Sequence, residues 1–259
     1  MIILIAESKT MLSSSIQISE NNFEDNKPIF EEFADNIADY LSGFSVPELA
    51  LRLKISDTLA VKAKKLLYDF RFKQTGNIAI NAFTGDVFKA LDISSLSEAQ
   101  HQYVINNLRI ISSMYGLLSP TNIIKSYRLD YNVDGAPDGE NLSKFWRKHV
   151  TVALAKILKD SGESQILDLL PGDASRLIDW KVIKAFAKVY KIDFKTFEAS
   201  GLKTPHAGMI KNFRGRFIRD LASNNITNLK DILEMESSQF IYMPAVSRKD
   251  YPVFTSALP

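Results

Sequence analysis

The sequence predicts a mixed α/β fold, a single compact domain in which a mixed β-sheet is surrounded by helices. Short apolar runs typical of buried strands alternate along the chain with stretches of helical periodicity. Their order is too irregular for a doubly wound sheet or an eight-fold barrel. Hydrophobic residues make up 46% of the 259 residues, and no Pro/Gly/Ser-rich linker divides the chain. We therefore expect residues 1–259 to form one domain.

The first predicted strand is residues 2–6, IILIA, whose continuous apolar character favours a buried, central position in the sheet. Further strands are predicted at 78–83, 166–170, 189–197 and 239–243. Apolar and polar residues alternate in 189–197, so this strand is expected to be exposed on one face.

Helices are predicted to begin near residues 28, 46, 56 and 141, where apolar residues recur at helical spacing. Another begins at Ser97, which forms a capping box with Gln100. This helix is expected to continue to Gly116, a residue suited to a helix C-cap. Ser119-Pro120 then predicts a short helix ending at Lys125, so that the two helices form a helix-hairpin-helix-like element.

The residue types that are absent exclude several classes of site. The chain has no cysteine, which rules out disulfides, cysteine zinc sites, iron–sulfur clusters and thiol catalysis. Its three histidines, His101, His149 and His206, lack metal-ligand spacing, so no metal and no cofactor are expected. The phosphate-loop, dinucleotide and nucleophile-elbow motifs are also missing. The sequence therefore leaves enzymatic activity uncertain and favours a non-enzymatic role.

The N-terminal apolar run is too short for a secretory or membrane segment. It spans five residues, whereas a signal peptide needs about 7–15 and a membrane span about 20. We expect a cytoplasmic protein that does not contact a membrane. The net charge of +2 does not by itself indicate a partner.

Residues 203–219 carry a concentration of positive charge without any acid. The five basic residues are Lys203, Lys211, Arg214, Arg216 and Arg219. Arginine forks match phosphate oxygens, and on a helix Phe213 and Phe217 would face the core. A phosphate-binding surface and a solvated basic helix face both remain open for this segment.

Three more basic residues, Arg109, Lys125 and Arg128, flank the predicted hairpin around Gly116. A compact bend between two helices would let backbone N–H groups approach phosphates. This geometry is typical of contact to the backbone of duplex DNA without sequence preference.

Lys9 and Asp86 each follow a predicted strand, and strand ends in α/β proteins are where ligands bind. Lys9 could contact a phosphate, and Asp86 could orient a base or a neighbouring arginine. The alternatives are a solvated loop lysine and, for Gly85-Asp86, a turn or helix cap.

Several blocks of sequence resemble the YaaA family, bacterial proteins linked to peroxide stress. They are residues 3–10 (ILIAESKT), 82–91 (AFTGDVFKAL), 108–130 (LRIISSMYGLLSPTNIIKSYRLD) and 144–146 (KFW), with a looser fit at 211–219 (KNFRGRFIR). The chain departs from the family at Glu7-Ser8, where proline and alanine are usual, at 112–114 and in the segments 168–174 and 211–215.

The resemblance implies a cytosolic protein that limits iron-dependent peroxide damage and binds double-stranded DNA, with little sequence preference, through a positive cleft. Residues at family motif positions are Lys9, Gly85, Asp86, Arg109, Tyr115, Gly116, Tyr127 and Arg128. With the basic residues above, the expected nucleic-acid or anion-binding residues are Lys9, Arg109, Tyr115, Gly116, Lys125, Tyr127, Arg128, Lys211, Arg214, Arg216 and Arg219.

The alternative function is an enzyme acting on a phosphorylated small molecule or nucleotide in the same cleft, with Lys9 and Asp86 as candidate catalytic residues. Direct iron handling by carboxylates is a third possibility, for which the sequence does not identify ligands.

Overall fold

A computed structural model describes residues 1–12, 16–17, 24–72, 75–199 and 201–256. It confirms the mixed α/β class, with several sheets rather than one. The strands are β1 (Ile2–Ala6), β2 (Ile16–Gln17), β3 (Thr75–Ile78), β4 (Leu108–Ser112), β5 (Gly116–Leu118), β6 (Ile123–Ile124), β7 (Gln165–Asp168), β8 (Lys188–Lys191), β9 (Asp193–Glu198), β10 (Gly201–Lys203), β11 (Phe240–Tyr242) and β12 (Val253–Ser256).

The helices match most of the predicted ones. They are α1 (Glu31–Ser42), α2 (Val46–Leu53), α3 (Asp57–Phe72), α4 (Ala79–Ala82), α5 (Asp86–Leu91), α6 (Glu98–Asn107), α7 (Leu142–Ser161), α8 (Gly172–Ser175), α9 (Trp180–Ile183) and α10 (Ala207–Ser223). The predicted capping box at Ser97 is present at the start of α6, with the Gln100 N–H donating to the Ser97 hydroxyl. No helix within the described ranges combines the length and the hydropathy that crossing a membrane requires.

The central sheet has five strands in the order β5-β4-β1-β7-β8. Strand β1 lies in the middle, as predicted, and Ile3, Leu4 and Ile5 are fully buried. The strands β4, β1, β7 and β8 run parallel, while β5 pairs antiparallel with β4. In chain order the parallel strands therefore lie 2-1-3-4, the arrangement of a doubly wound sheet. This order is not evident from the sequence, because about a hundred residues separate β1 from β4, and the described ones among them include six helices and two strands of another sheet.

This strand order creates a crevice at the carboxyl ends of β1 and β7. Chain connections leave these two neighbouring strands in opposite directions, so the segments that follow them separate and leave an opening. Residues 7–12 follow β1 and residues 169–173 follow β7, and together they form two walls of the crevice.

The helix-hairpin-helix element is not confirmed, because residues 108–118 form a β-hairpin. Helix α6 ends at Asn107, and β4 pairs with β5 through Ile110 to Leu118 and Ser112 to Gly116. Residues 119–122, predicted to start a second helix, form a turn that leads into β6. The run of adjacent isoleucines at 110–111 lies between β1 and β5, and strand pairing there outweighs the helical periodicity.

Two other predicted strands differ from the observed ones. The predicted strand at 78–83 is wrong, since β3 ends at Ile78 and α4 follows it directly. The alternating segment 189–197 is extended as predicted but is divided between β8 in the central sheet and β9 in a second sheet. The strands predicted at 166–170 and 239–243 are confirmed as β7 and β11.

A second sheet, in the order β10-β9-β12-β11, holds α10 in place through aromatic contacts. Phe213 and Phe217 of α10 face the core, as predicted, and their ring centroids lie 5.9 and 5.5 Å from that of Phe194 in β9. The opposite contact of α10 is with α5, where Gly215 lies directly against the backbone of Val87. These contacts fix the end of α10 that carries Lys211 and Arg214 beside the crevice.

Candidate anion-binding cleft

The crevice at the ends of β1 and β7 contains a cavity of about 390 Å³. We call it the cleft. Its walls come from residues 6–10 after β1, residues 84–89 around the start of α5, residues 129–131, Pro171 and Asp173 after β7, and Lys211 and Arg214 of α10. Five separate stretches of the chain therefore meet at this position.

The loop after β1 is held in place by backbone hydrogen bonds on both sides. The Glu7 N–H donates to the Ile111 carbonyl at 2.9 Å, which ties the loop to β4. Further along, the Thr84 N–H donates to the Thr10 carbonyl at 3.0 Å, and the Leu12 N–H donates to the Ala82 carbonyl at 2.8 Å. The position of Lys9 and Glu7 is thus set by the sheet and by the segment before α5.

Of the predicted residues, Lys9, Asp86, Lys211 and Arg214 line the cleft together. Lys9 remains mostly exposed, and its ammonium group is paired with the Asp130 carboxylate. Burial would raise the pKa of Asp130, but hydrogen bonding, chiefly from Lys9, outweighs it and holds that pKa below its ordinary value. Burial lowers the pKa of the Arg214 guanidinium, against the opposing attraction of Asp168 and Asp173.

The cleft is mixed in charge rather than uniformly positive. Its four basic residues are Lys9, Lys89, Lys211 and Arg214, and its four acidic residues are Glu7, Asp86, Asp130 and Asp173. A concave site with both signs of charge suits a small polar ligand, because phosphate oxygens and hydrogen-bond donors can be bound at the same time.

Glu7 has an unusual environment at the end of β1. Its side chain is hydrogen-bonded to the hydroxyl of Tyr127, which is itself 2.8 Å from the Ser112 hydroxyl. Burial raises the pKa of the Glu7 carboxyl to about 7, although its hydrogen bonds with Ser113 and Tyr127 act in the opposite direction. A carboxyl that titrates near neutral pH is suited to acid–base chemistry.

Two further cavities adjoin the cleft and contain other predicted residues. One, of about 280 Å³, shares Lys9 and Asp130 with the cleft and is also lined by Lys54 and Arg128. The other, of about 590 Å³, shares Asp86 and Lys89 with the cleft and is also lined by Arg216. Arg128 and Arg216 therefore line cavities beside the cleft and not the cleft itself.

Three predicted basic residues do not reach the cleft, because backbone carbonyls hold them elsewhere. Arg109 donates to the Leu108 carbonyl at 2.6 Å, and burial lowers the pKa of its guanidinium. Lys125 donates to the Phe70 carbonyl at 2.7 Å. Arg219 donates to the carbonyls of Leu91 and Asp92 at the end of α5, at 2.7 and 3.0 Å. Each of these contacts stabilises the fold.

The remaining predicted residues, Tyr115, Gly116 and Tyr127, are internal. Tyr115 is buried, and its hydroxyl accepts a hydrogen bond from the Lys125 N–H at 3.0 Å. Gly116 packs against the Trp146 ring at the start of β5. Tyr127 is also buried, but it lies beneath the cleft in contact with Glu7. A binding role for Tyr115 or Gly116 remains a prediction that the cleft geometry does not support.

The cleft also contains residues that were not predicted as site residues, namely Glu7, Lys89, Asp130, Tyr131 and Asp173. Glu7 and Asp173 follow strands that were predicted correctly, so the strand-end rule applied to β1 and β7 together would have found them. No comparable signal marks Asp130 and Tyr131, since the segment that contains them has no regular secondary structure. Among the described residues, no group of three or more histidines and acidic residues is arranged to hold a metal ion.

Comparisons with known proteins agree with the resemblance seen in the sequence. The model of a family described as peroxide stress protein YaaA matches residues 1–246. A UPF0246 protein of Francisella tularensis subsp. novicida is 30% identical over 261 aligned residues, which cover 98% of this chain and 100% of that protein. A UPF0246 protein of Francisella philomiragia is 28% identical over the same proportions of both chains.

Proposed function

Because this chain belongs to the peroxide stress protein YaaA family, we propose that it acts in peroxide resistance in the cytoplasm by binding a phosphate-bearing small molecule or nucleotide in the cleft. The observation that carries this proposal is the meeting of Lys9, Lys211 and Arg214 at the switch point of the central sheet. Lys9 and Asp86 are the candidate catalytic residues if the bound ligand is turned over.

Arg214 is the best-placed group for a phosphate. It is partly buried, and Asp168 and Asp173 attract it without forming a salt bridge to it among the described residues; Asp168 instead pairs with Lys191 at 3.1 Å. Charge-assisted hydrogen bonds from a desolvated guanidinium to phosphate are among the strongest polar contacts in proteins.

Replacing Arg214 by alanine should therefore weaken ligand binding. We expect ADP to bind the wild-type protein more tightly than adenosine does, and Arg214→Ala to lower the ADP affinity about tenfold or more, since such a hydrogen bond contributes roughly 1.5–3 kcal/mol. Isothermal titration calorimetry measures both affinities. Lys156→Ala removes one positive charge from an exposed position of α7 and should leave binding unchanged. Equal affinities of the two variants, both folded, would contradict the proposal.

Double-stranded DNA is the second candidate ligand, on a surface that extends beyond the cleft. The specific observation in its favour is the set of basic residues that line the cleft and the two cavities adjoining it. These are Lys54, Lys9, Arg128, Lys89, Lys211, Arg214 and Arg216. With the helix-hairpin-helix element not confirmed, these residues would have to supply the backbone contacts. Covering duplex DNA in this way would also limit iron-dependent peroxide damage.

DNA binding of this kind should depend steeply on salt. We expect a log–log slope of about −0.9 per phosphate contact, and Arg128→Ala or Arg216→Ala should reduce the slope by about one contact while leaving ADP binding intact. Fluorescence anisotropy of a random duplex at two salt concentrations measures this. DNA in this complex should also be cleaved less than free DNA when iron and peroxide are added. Absence of duplex binding at low salt would rule out this function for the chain.

A further inference from the structure

Among the described residues, the carboxyl group of Glu7 has no cationic partner, although four basic residues line the same cavity. Within the described parts of the chain, the Lys9 ammonium pairs with Asp130, and Lys191 pairs with Asp168. No ion pair between two described residues includes Glu7. Because burying an unpaired carboxylate is costly, the group that most readily neutralises Glu7 is a proton.

The hydrogen bonds below Glu7 have a fixed direction. The Ser112 hydroxyl accepts the N–H groups of Met114 and Tyr115 at 3.2 and 2.9 Å, which use both of its lone pairs. Its own proton must therefore be donated to the Tyr127 hydroxyl oxygen, 2.8 Å away. The Tyr127 proton is then donated to Oε2 of Glu7.

This direction determines where a protonated Glu7 carries its proton. Tyr127 keeps its own proton, since burial raises the pKa of its hydroxyl well above the ordinary value. The proton of Tyr131 is likewise committed, because its hydroxyl donates to the Ile111 carbonyl at 2.9 Å. Oε2 of Glu7 accepts the Tyr127 proton, and Ser113 also hydrogen-bonds the carboxyl group, so the added proton is assigned to Oε1.

We propose that Glu7 is the acid–base residue of the cleft, and that its Oε1 donates a proton in a hydrogen bond to an anionic oxygen of the bound phosphate ligand. This inference rests on the proposed binding of a small phosphate ligand. It adds that Glu7 carries a proton when that ligand is bound. Ligand binding and proton uptake are then coupled at one residue.

The coupling has a defined sign. The charged residues that share the cavity with Glu7 are Lys9 on its own loop, Asp86 and Lys89 on α5, Asp130, Asp173 after β7, and Lys211 and Arg214 on α10. Binding of an anionic ligand among these residues adds negative charge beside Glu7 and therefore favours the neutral form of the Glu7 carboxyl group. Since the pKa of Glu7 is about 7 without ligand, binding should take up a proton near neutral pH and weaken as the pH rises further.

Calorimetric titration of ADP into the wild-type protein and Glu7→Gln, in buffers of different ionisation enthalpy, tests this coupling. Glutamine keeps the acceptor for Tyr127 and replaces the Oε1 proton with an amide N–H. The second ionisation of the phosphate, with a pKa of about 6, is common to both titrations, so their difference isolates Glu7. Folding of the variant is checked by its thermal transition.

We expect the wild-type protein to take up about half to one more proton than Glu7→Gln at pH 7.5. Its affinity should also fall by up to about tenfold per pH unit relative to the variant above pH 7, because one proton is linked to binding. Asp160→Asn removes a carboxylate from an exposed position of α7 and should retain the wild-type proton uptake. If the wild type and Glu7→Gln both bound ADP tightly and took up equal numbers of protons, the proposed role of Glu7 would be wrong, while the proposed ligand-binding function would stand. Failure of both proteins to bind ADP at any pH would overturn the proposed function and this inference with it.

Discussion

Replacing Gly116 by alanine is expected to destabilise the protein by about 2–5 kcal/mol. Gly116 has a φ of 67°, and an L-residue in that conformation costs roughly 1–2 kcal/mol. An added Cβ would also lie 2.6 Å from Cε3 of Trp146 and 3.2 Å from Cδ2 of Phe30. Overpacking of this kind costs about 1–3 kcal/mol, and the ring has little freedom to move because Trp146 is fully buried and its Nε1 donates to the Ser113 carbonyl.

Gly162 provides a matched control for Gly116→Ala. It also has a positive φ, 71°, but it ends α7 and an added Cβ would have no atom within 4 Å. Gly162→Ala should therefore show only the conformational cost, about 1–2 kcal/mol. Urea unfolding of both variants measures the difference. If Gly116→Ala lost no more stability than Gly162→Ala, the packing of the β-hairpin against Trp146 would be wrong.

Gly215→Ala is expected to destabilise the protein by about 3 kcal/mol and to weaken ligand binding without changing any residue of the cleft. Within a helix, glycine to alanine normally stabilises by about 1 kcal/mol. At Gly215 the added Cβ would lie 2.2 Å from the Val87 carbonyl oxygen and 2.7 Å from the Leu91 nitrogen. Both atoms are backbone atoms of α5, so α10 would have to move away from α5.

The displacement would separate Lys211 and Arg214 on α10 from Asp86 and Lys89 on α5, and would open the cleft. Gly208→Ala in the same helix is the control, since its nearest contact is the exposed side chain of His206 at 3.3 Å, not a backbone atom. We expect its stability to stay within about 1 kcal/mol of the wild type. Urea unfolding and ADP titration report the two effects. A Gly215→Ala variant as stable as Gly208→Ala would show that the α5–α10 contact is looser than described.

Elements with strong local signals were predictable from the sequence. The isoleucine-rich run of β1, the capping box of α6 and the long amphipathic pattern of α7 each specify one conformation through interactions between near neighbours. Residues 108–118 carry an ambiguous signal, because an apolar run ending near a glycine suits both a helix with a C-cap and a β-hairpin. Pairing of β4 with β1, which is distant in sequence, decides between them.

Charge was similarly ambiguous in residues 203–219. The sequence shows five basic residues without an acid, but the fold gives each a separate role. Lys203 pairs with Glu198 at 2.9 Å, Arg219 binds the end of α5, and Arg216 donates to Gln239. Lys211 and Arg214 alone from this segment line the cleft. Ion pairs and hydrogen bonds with other residues therefore determine which of these charges are available to a ligand.

The sequence by itself determined the α/β class, the central position of β1, and the residue types able to meet a phosphate, because these depend on local periodicity and side-chain chemistry. The tertiary structure alone decided that Lys9, Asp86, Lys211 and Arg214 meet in one cleft. It also decided that Ser112, Tyr127 and Glu7 form a directed chain of hydrogen bonds beneath it. Both features join segments separated by many residues, and their geometry is set by strand order and helix packing, which no local pattern encodes.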